Sequence, residues 1–427
     1  MAKINPSTIE LGTLLGKGSY GAVYRMKDSN GKVFAIKRVN SDRYGLRELG
    51  ELNNLKRFDH PYIIKCVGFT VDPMRLGIIL PLAIGDMTVT NGACKHLMTD
   101  VVLTEWFYQL ISAVHFMHKN GFYHCDIKPE NILLIGDKVV LSDLGLVGKK
   151  GLDTDNVCQT YMSPQLLLRR IGPLPPGIIN YALFRMPSTE YQDDIWALGK
   201  TFYLMIPNVT NYLTHKFPKY DTFITERVNV LKQSKVPDTY IPLLLKLLDP
   251  LPGNRDLNLI SLLHLDLFKE RKKLVDGNMT VVNNQRPVIF GTDKLKAEFN
   301  TVLYKLLERF PVINNDLPIQ ACDLLYRTYE YAKPTLKTPA SVDNYIKTVL
   351  MLVLKINNRD NSLVPNSEMK MFEMKMIDWT SGNLSRTVIS DFIDPSKYRA
   401  FIEWLKTNVE HYEQLSLDVM TQTINAL

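Results

Sequence analysis

The chain is poor in cysteine, with five in 427 residues (66, 94, 125, 158 and 322), none in a C-x-x-C pair. A scattered, odd-numbered set excludes a disulfide framework and a cysteine-based zinc site, and it suits reduced thiols inside a cell. Long apolar runs are also missing. The greasiest stretch, Thr348 to Ile356, falls far short of the ~18 apolar residues of a membrane span. Residues 1 to 12 lack the apolar core of a secretory leader. Neither sign of charge dominates: 51 basic and 44 acidic residues leave +7, spread along the chain. No basic-aromatic module accompanies that excess, so specific nucleic-acid binding is not expected. These absences point to a soluble protein of the cytoplasm or nucleus, with no membrane partner.

Apolar residues make up 45% of the chain and charged residues 22%, as in ordinary globular proteins. The length exceeds one domain and allows two or three sizeable cores.

Two stretches carry chemistry. Gly16-Lys17-Gly18-Ser19-Tyr20-Gly21 is a G-x-G-x-x-G. A dinucleotide fold would follow it with a helix and then an acidic residue. Here Ala22 to Met26 alternates like a strand, Asp28-Ser29-Asn30-Gly31 is a turn, Val33 to Val39 is a second strand, and Lys37 stands where the acid would be. A glycine hairpin covering phosphates is the better reading, since glycine has no Cβ to keep backbone amides from an anion. The second stretch, His124-Cys125-Asp126-Ile127-Lys128-Pro129-Glu130-Asn131, precedes Asp143-Leu144-Gly145. It supplies a carboxylate for an acceptor hydroxyl, a lysine for a migrating phosphate and two oxygen ligands for magnesium.

Together these motifs resemble the eukaryotic-type protein kinases over residues 9 to 268, and Lys128 two places after Asp126 resembles the serine/threonine branch. The resemblance extends to Tyr161-Met162-Ser163-Pro164-Gln165, to Asp194-Ile195-Trp196-Ala197-Leu198-Gly199 and to Arg255. It implies an ATP- and Mg2+-dependent enzyme of α+β class, with a small antiparallel lobe and a large helical lobe. Lys37 would hold the α- and β-phosphates, paired with Glu51 on a helix over 46 to 58; Glu48, one turn earlier, is a rival. Gly16, Gly18, Gly21, Val23, Ala35, Leu80, Leu82 and Leu133 would line the nucleotide site, with backbone near Pro81 to Ala83 meeting the adenine edge. Asp126 would orient the substrate hydroxyl and Lys128 would neutralise the transferred group. Asn131 and Asp143 would bind magnesium. His115 and His118, on a helix from Thr104 to Lys119, read as packing residues, with no third ligand near.

The chain departs from the family in four places. Cys125 replaces an arginine that receives a phosphorylated activation loop, which puts activation by such a phosphate in doubt. Leu144 replaces phenylalanine. Gln165 replaces the glutamate that pairs with the Arg255 position, leaving at best a neutral-acceptor hydrogen bond. Cys158 stands where a threonine contacts the catalytic residues, with Thr160 as a possible substitute. The segment from 166 to 193 is also longer than usual.

Past Phe268 comes a basic, polar stretch, 269 to 291, which reads as a linker, and then an all-helical region, 292 to 427. Expected helices begin at Thr292-Asp293 and run over 295–310, 317–332, 342–356, 367–379, 385–393 and 397–427. The helix over 342–356 is apolar nearly all round and belongs at a centre; the methionines at 369, 371, 374 and 376 read as core filler. Leu324 to Tyr329, Val353 to Ile356, and Asp378-Trp379 with Asp391 to Ile393 resemble a cyclin box, with Lys355 at a kinase-contacting position. The resemblance implies a lobe 1–82, a lobe 83–268, and a helical module regulating the enzyme in cis on a protein substrate. The rival reading is a pseudokinase scaffold that binds partners through this helical region.

Overall fold

The computed structural model describes residues 2–17, 21–40, 46–72, 75–88, 98–149, 159–171, 178, 181–210, 217–255, 258–279, 298, 301–303, 305–306, 317–356, 366–379, 400, 403 and 407. Gly18, Cys158, the caps at 292–293 and the helix expected over 385–393 lie outside them, as does most of that expected over 397–427. The chain divides into two compact units: residues 1–57, 66–79 and 280–427 form one, and residues 58–65 and 80–279 the other.

The first unit holds a six-stranded sheet of order β1-β6-β7-β4-β3-β2. Its strands are β1 (Ala2–Lys3), β2 (Glu10–Lys17), β3 (Ala22–Lys27), β4 (Val33–Asn40), β6 (Gly68–Asp72) and β7 (Arg75–Pro81). The expected hairpin is present. Asp28 accepts from the amides of Asn30 and Lys32, and Gly31 takes φ +78°, a conformation that suits glycine. Period-two alternation then sorts the side chains. Tyr24, Met26, Phe34 and Ile36 share the face that packs with Ile79. Val23 lies opposite Lys37 and, with Ala35, takes the other face.

Helix α1 (Leu46–Arg57) belongs to the same unit and buries Glu51, Leu52, Asn54 and Leu55. So do three C-terminal helices: α9 (Leu317–Ala332), α10 (Pro339–Ile356) and α11 (Ser367–Trp379). Helix α10 is in contact with α9, α11 and α1, which explains an apolar surface that runs nearly all round it. Its Tyr345 hydroxyl bonds Thr328 at 2.7 Å and the Leu325 carbonyl at 3.2 Å, and its ring meets Phe372 edge-on. Met369 and Met376 are buried filler as expected, whereas Met371 is exposed.

The second unit includes β5 (Phe58–Asp59), β8 (Gly85–Asp86), α2 (Asp100–Lys119), β9 (Phe122–Tyr123), β10 (Ile132–Ile135) and β11 (Lys138–Leu141). The start of α2 lies earlier than its periodicity predicts. Thr99 caps it by accepting from the Val102 amide, and Asp100 complements the positive end. β12 (Gly148–Lys149), α3 (Pro164–Ile171) and α4 (Tyr181–Phe184) follow. Next come α5 (Glu190–Met205), α6 (Phe217–Thr225), α7 (Arg227–Gln233) and α8 (Ile241–Leu247). Thr189 and Gln192 close a capping box on α5, and Gly199 lets that helix approach Leu247 and Leu248 so closely that a Cβ would collide with them.

Part of the stretch expected as a linker is built into this unit. Tyr108 donates to the Lys273 carbonyl at 2.7 Å, Val275 N–H donates to Ser112, and β13 (Asn278–Met279) pairs with β5.

Candidate active site

The expected phosphate-holding group sits in the sheet-bearing unit. Lys37 Nζ lies 2.5 Å from Glu51 Oε2, and the two side chains are 17% and 3% exposed. The carboxylate is thus buried, on a helix that also buries Leu52, Asn54 and Leu55. The side chains of Glu48, the rival partner, and of Lys355 lie outside the described residues. Gly16, at the hairpin tip, has open space where a Cβ would project.

The expected hydroxyl-orienting and metal-binding groups sit in the second unit: Asp126, Lys128 and Asn131 on the loop between β9 and β10, and Asp143 just after β11. His124 is fully buried, and desolvation holds its imidazole below the usual histidine range. Its Nδ1 accepts from the Asp126 amide at 3.2 Å, which assigns the proton to Nε2, 3.0 Å from the Ser142 carbonyl. Asp126 Oδ2 receives Lys128 Nζ at 2.7 Å and Asn131 Nδ2 at 3.0 Å; the same amide nitrogen also donates to the Asp126 carbonyl. With that nitrogen committed, the Asn131 amide oxygen is the atom that would serve as a ligand. The Asn131 carbonyl takes both the amide and the hydroxyl of Ser142, tying the loop to the neighbouring Asp143.

Asp143 adopts φ +56°, ψ +70°, an uncommon left-handed state for a non-glycine residue at the end of a strand. One carboxylate and one amide oxygen form a hard donor set that suits magnesium completed by phosphate oxygens. Among the described residues no three of His, Cys, Asp and Glu converge as a metal cage. Leu133, Leu80 and Leu82 are half-buried; on β10 the neighbours Ile132 and Leu134 take the core.

The buried α5 braces this loop. Asp194 accepts the amides of His124 at 2.7 Å and Cys125 at 2.9 Å, and it also meets His118 Nε2 at 3.0 Å. Those bonds hold Cys125 at φ +68°, a strain of about 1–2 kcal/mol. His118 is therefore more than packing. The sequence signal was its place in the last turn of α2, just ahead of the strand that enters the loop.

Gln165 also has a fuller role than its residue type suggests. Its Oε1 accepts from Arg255 Nη2 at 2.7 Å, while its Nε2 donates to the carbonyls of Pro250 (2.8 Å) and Leu183 (3.0 Å). The charge of Arg255 is met by Asp193 at 3.8 Å and by the Trp196 ring at 4.8 Å. Burial raises the Asp193 carboxyl, opposed by Ser163, Arg255 and Arg169. Its adjacency to Asp194 was the only hint of this role.

Comparison with known proteins agrees with this geometry. The model of the protein kinase domain matches residues 9–287, well over half of the chain and further than the motifs alone reach. An Aurora kinase of Candida glabrata is 29% identical over 220 residues, 48% of this chain and 56% of its own. CBL-interacting serine/threonine-protein kinase 2 of Arabidopsis thaliana is 30% identical over 258 residues, 56% of this chain and 52% of its own. The human NUAK family SNF1-like kinase 1 is 29% identical over 221 residues, 50% and 31%. The chain spans about a third to just over half of the length of the curated relatives it matches. With an antiparallel sheet lobe, a helical lobe and this catalytic loop, the chain belongs to the protein kinase family, among relatives of the serine/threonine type.

Proposed function

We propose that the chain is a serine/threonine protein kinase that moves the γ-phosphate of ATP to a protein hydroxyl. The observation that carries this is the Asp126 carboxylate held by Lys128 and Asn131 on a loop anchored to Asp194. Asp126 accepts the hydrogen bond of the incoming hydroxyl and aims its oxygen at phosphorus. Lys128 offsets charge on the transferred group. Lys37, steadied by Glu51, holds the α- and β-phosphates, and Val23, Ala35, Leu80, Leu82 and Leu133 line the adenine side. Asn131 and Asp143 would hold Mg2+, which would supply charge neutralisation for the phosphates. The catalysis is positioning and electrostatics rather than covalent chemistry. A full set of these residues speaks against the pseudokinase reading.

Incubation with ATP, Mg2+ and a basic protein acceptor, read by mass spectrometry, should give phosphoserine or phosphothreonine that a metal chelator abolishes. No incorporation at any magnesium concentration would remove the proposal.

The reading extends to regulation in cis by a cyclin-like module within 292–427, after lobes 1–82 and 83–268 and a connecting 269–291. Its support is that α10 packs on α1, the helix bearing Glu51. Lys56, in the last turn of α1, is drawn down to about 8, chiefly by burial and also by Arg327 of α9. A helix so covered keeps Glu51 at Lys37 without a phosphate receptor at Cys125. Removing 280–427 keeps the strand at 278–279 and should cut activity at least tenfold; unchanged activity would sink this part.

A further inference from the structure

The chain past Phe268 does not leave the second unit at once. Residues 273–279 run along α2 and on to β5 as a strap. The Tyr108 hydroxyl donates to the Lys273 carbonyl at 2.7 Å, the Val275 amide donates to Ser112 Oγ at 3.2 Å, and Lys119 pairs with Asp276 at 2.5 Å. Leu274 is buried, and Asn278 and Met279 pair antiparallel with Asp59 and Phe58. At Gly277 the approach is closest: a Cβ there would lie 2.5 Å from the Asp59 carbonyl oxygen and 3.0 Å from the His60 side chain. Only glycine lets the strap pass so near.

His60 joins this strap to the turn that follows β5. The ring is fully buried and stacks on Phe116 at 5.0 Å. Its Nδ1 accepts from the Tyr62 amide at 3.1 Å, which leaves the proton on Nε2, and Nε2 donates to the Val275 carbonyl at 3.1 Å. One nitrogen therefore shapes the turn and the other ties that turn to the strap. The turn in its own right is bonded to the last residue of β11. Leu141 N–H donates to the Tyr62 carbonyl and Ile64 N–H to the Leu141 carbonyl, both at 2.9 Å. Ser142 comes next, with its amide and hydroxyl both on the Asn131 carbonyl at 2.8 Å, and then Asp143 at φ +56°. A left-handed aspartate persists only where its surroundings over-determine the backbone. Here the hydrogen bonds run without a break from Val275 through His60 and Leu141 to Asn131 and Asp143.

We infer that His60 and residues 273–279 are positioning elements for the magnesium ligands Asn131 and Asp143, so that the working large lobe ends at Met279 rather than at Phe268. The inference rests on the kinase reading of those two ligands. His60 acts through the backbone at Leu141, which sets where the Asp143 carboxylate starts. Displacing the strap frees the turn, and the two oxygen donors lose their fixed spacing.

The test uses the full chain with Mn2+ as a paramagnetic stand-in for Mg2+ and a non-hydrolysable ATP analogue. Free Mn2+ is read by electron paramagnetic resonance. His60→Ala removes both ring bonds, and Gly277→Val drives a side chain into the Asp59 carbonyl without altering His60 or either ligand. Each should raise the Kd for Mn2+ about fivefold or more, while binding of the fluorescent nucleotide in a chelator stays as in the native chain. Tyr108→Phe, which deletes a single hydroxyl, should shift Kd in the same direction by less. His60→Gln retains a donor toward Val275 and should recover most of the affinity. In phosphate transfer, the half-saturating Mg2+ concentration should rise by the same factor with KM for the acceptor unchanged. Native Mn2+ affinity in His60→Ala and Gly277→Val, or an equal loss of metal-free nucleotide binding, would overturn the inference. A native chain that transfers phosphate while the variants keep its Mn2+ affinity loses this inference alone. A native chain that binds Mn2+ through His60 as described but transfers no phosphate loses the kinase reading instead.

Discussion

Gln165 stands where the family carries a glutamate, and restoring that glutamate should weaken the fold. Gln165 is 1% exposed and uses both ends of its amide. Gln165→Glu strengthens the bond to Arg255 by about 1–2 kcal/mol, because the acceptor becomes charged. It also replaces Nε2, the donor to the Pro250 and Leu183 carbonyls, with an anionic oxygen. Two buried carbonyls then lose their donor, at about 1–3 kcal/mol each, and face a like partial charge. Asp193 already serves Arg255, so a second carboxylate adds little. The balance is a loss of roughly 1–3 kcal/mol. Urea unfolding followed by tryptophan emission, with Trp379→Phe and Trp404→Phe in the background, reports Trp106 and Trp196 of the second unit. The midpoint should fall by about 0.3–1 M at unchanged slope. A midpoint equal to or above that of the parent would refute the reasoning.

Lys200 lies wholly buried on α5, and desolvation brings its amine down to about 7. The unfolded chain binds that proton more tightly, so the cost to the fold is complete below about pH 7 and is relieved as pH rises toward 10.5. Lys200→Met should raise stability at pH 7 by a few kcal/mol and flatten the pH dependence above it; an unchanged slope would contradict this. Asp194→Ala strips the acceptor from two buried amides and His118. It should cost about 3–5 kcal/mol and lower kcat in whatever fraction stays folded; native-like urea midpoints would argue against the bracing role. Arg327→Glu places an opposite charge near Lys56 and should raise the pH at which that amine titrates, read by the rate of lysine modification; an unshifted rate would place Arg327 away from α1.

The candidate loop was legible because its contacts are local. Asp126, Lys128 and Asn131 meet within one turn, so spacing alone brings their side chains together. Glu51 was reachable only through the family resemblance, since it pairs with Lys37 across fourteen positions. Long-range compensation was not legible. Nothing near Gln165 in sequence announces Pro250 or Leu183, and Asp193 shows its value only once α3 and α5 are packed. The basic stretch after Phe268 read as a linker, yet its start is held to the second unit through backbone groups, at Lys273 and Val275, that composition cannot reveal. The apolar girth of the 342–356 helix signalled a central position but not that α1 would be one of its neighbours.

The central claim is that Asp126 directs an alcohol at a bound nucleotide. The direct measurement is steady-state transfer of labelled γ-phosphate by the native chain and by Asp126→Asn, with KM for ATP read alongside. The account predicts a fall in kcat of at least about 100-fold with KM for ATP nearly unchanged. Equal turnover in the two proteins, or no turnover by the native chain, would contradict it.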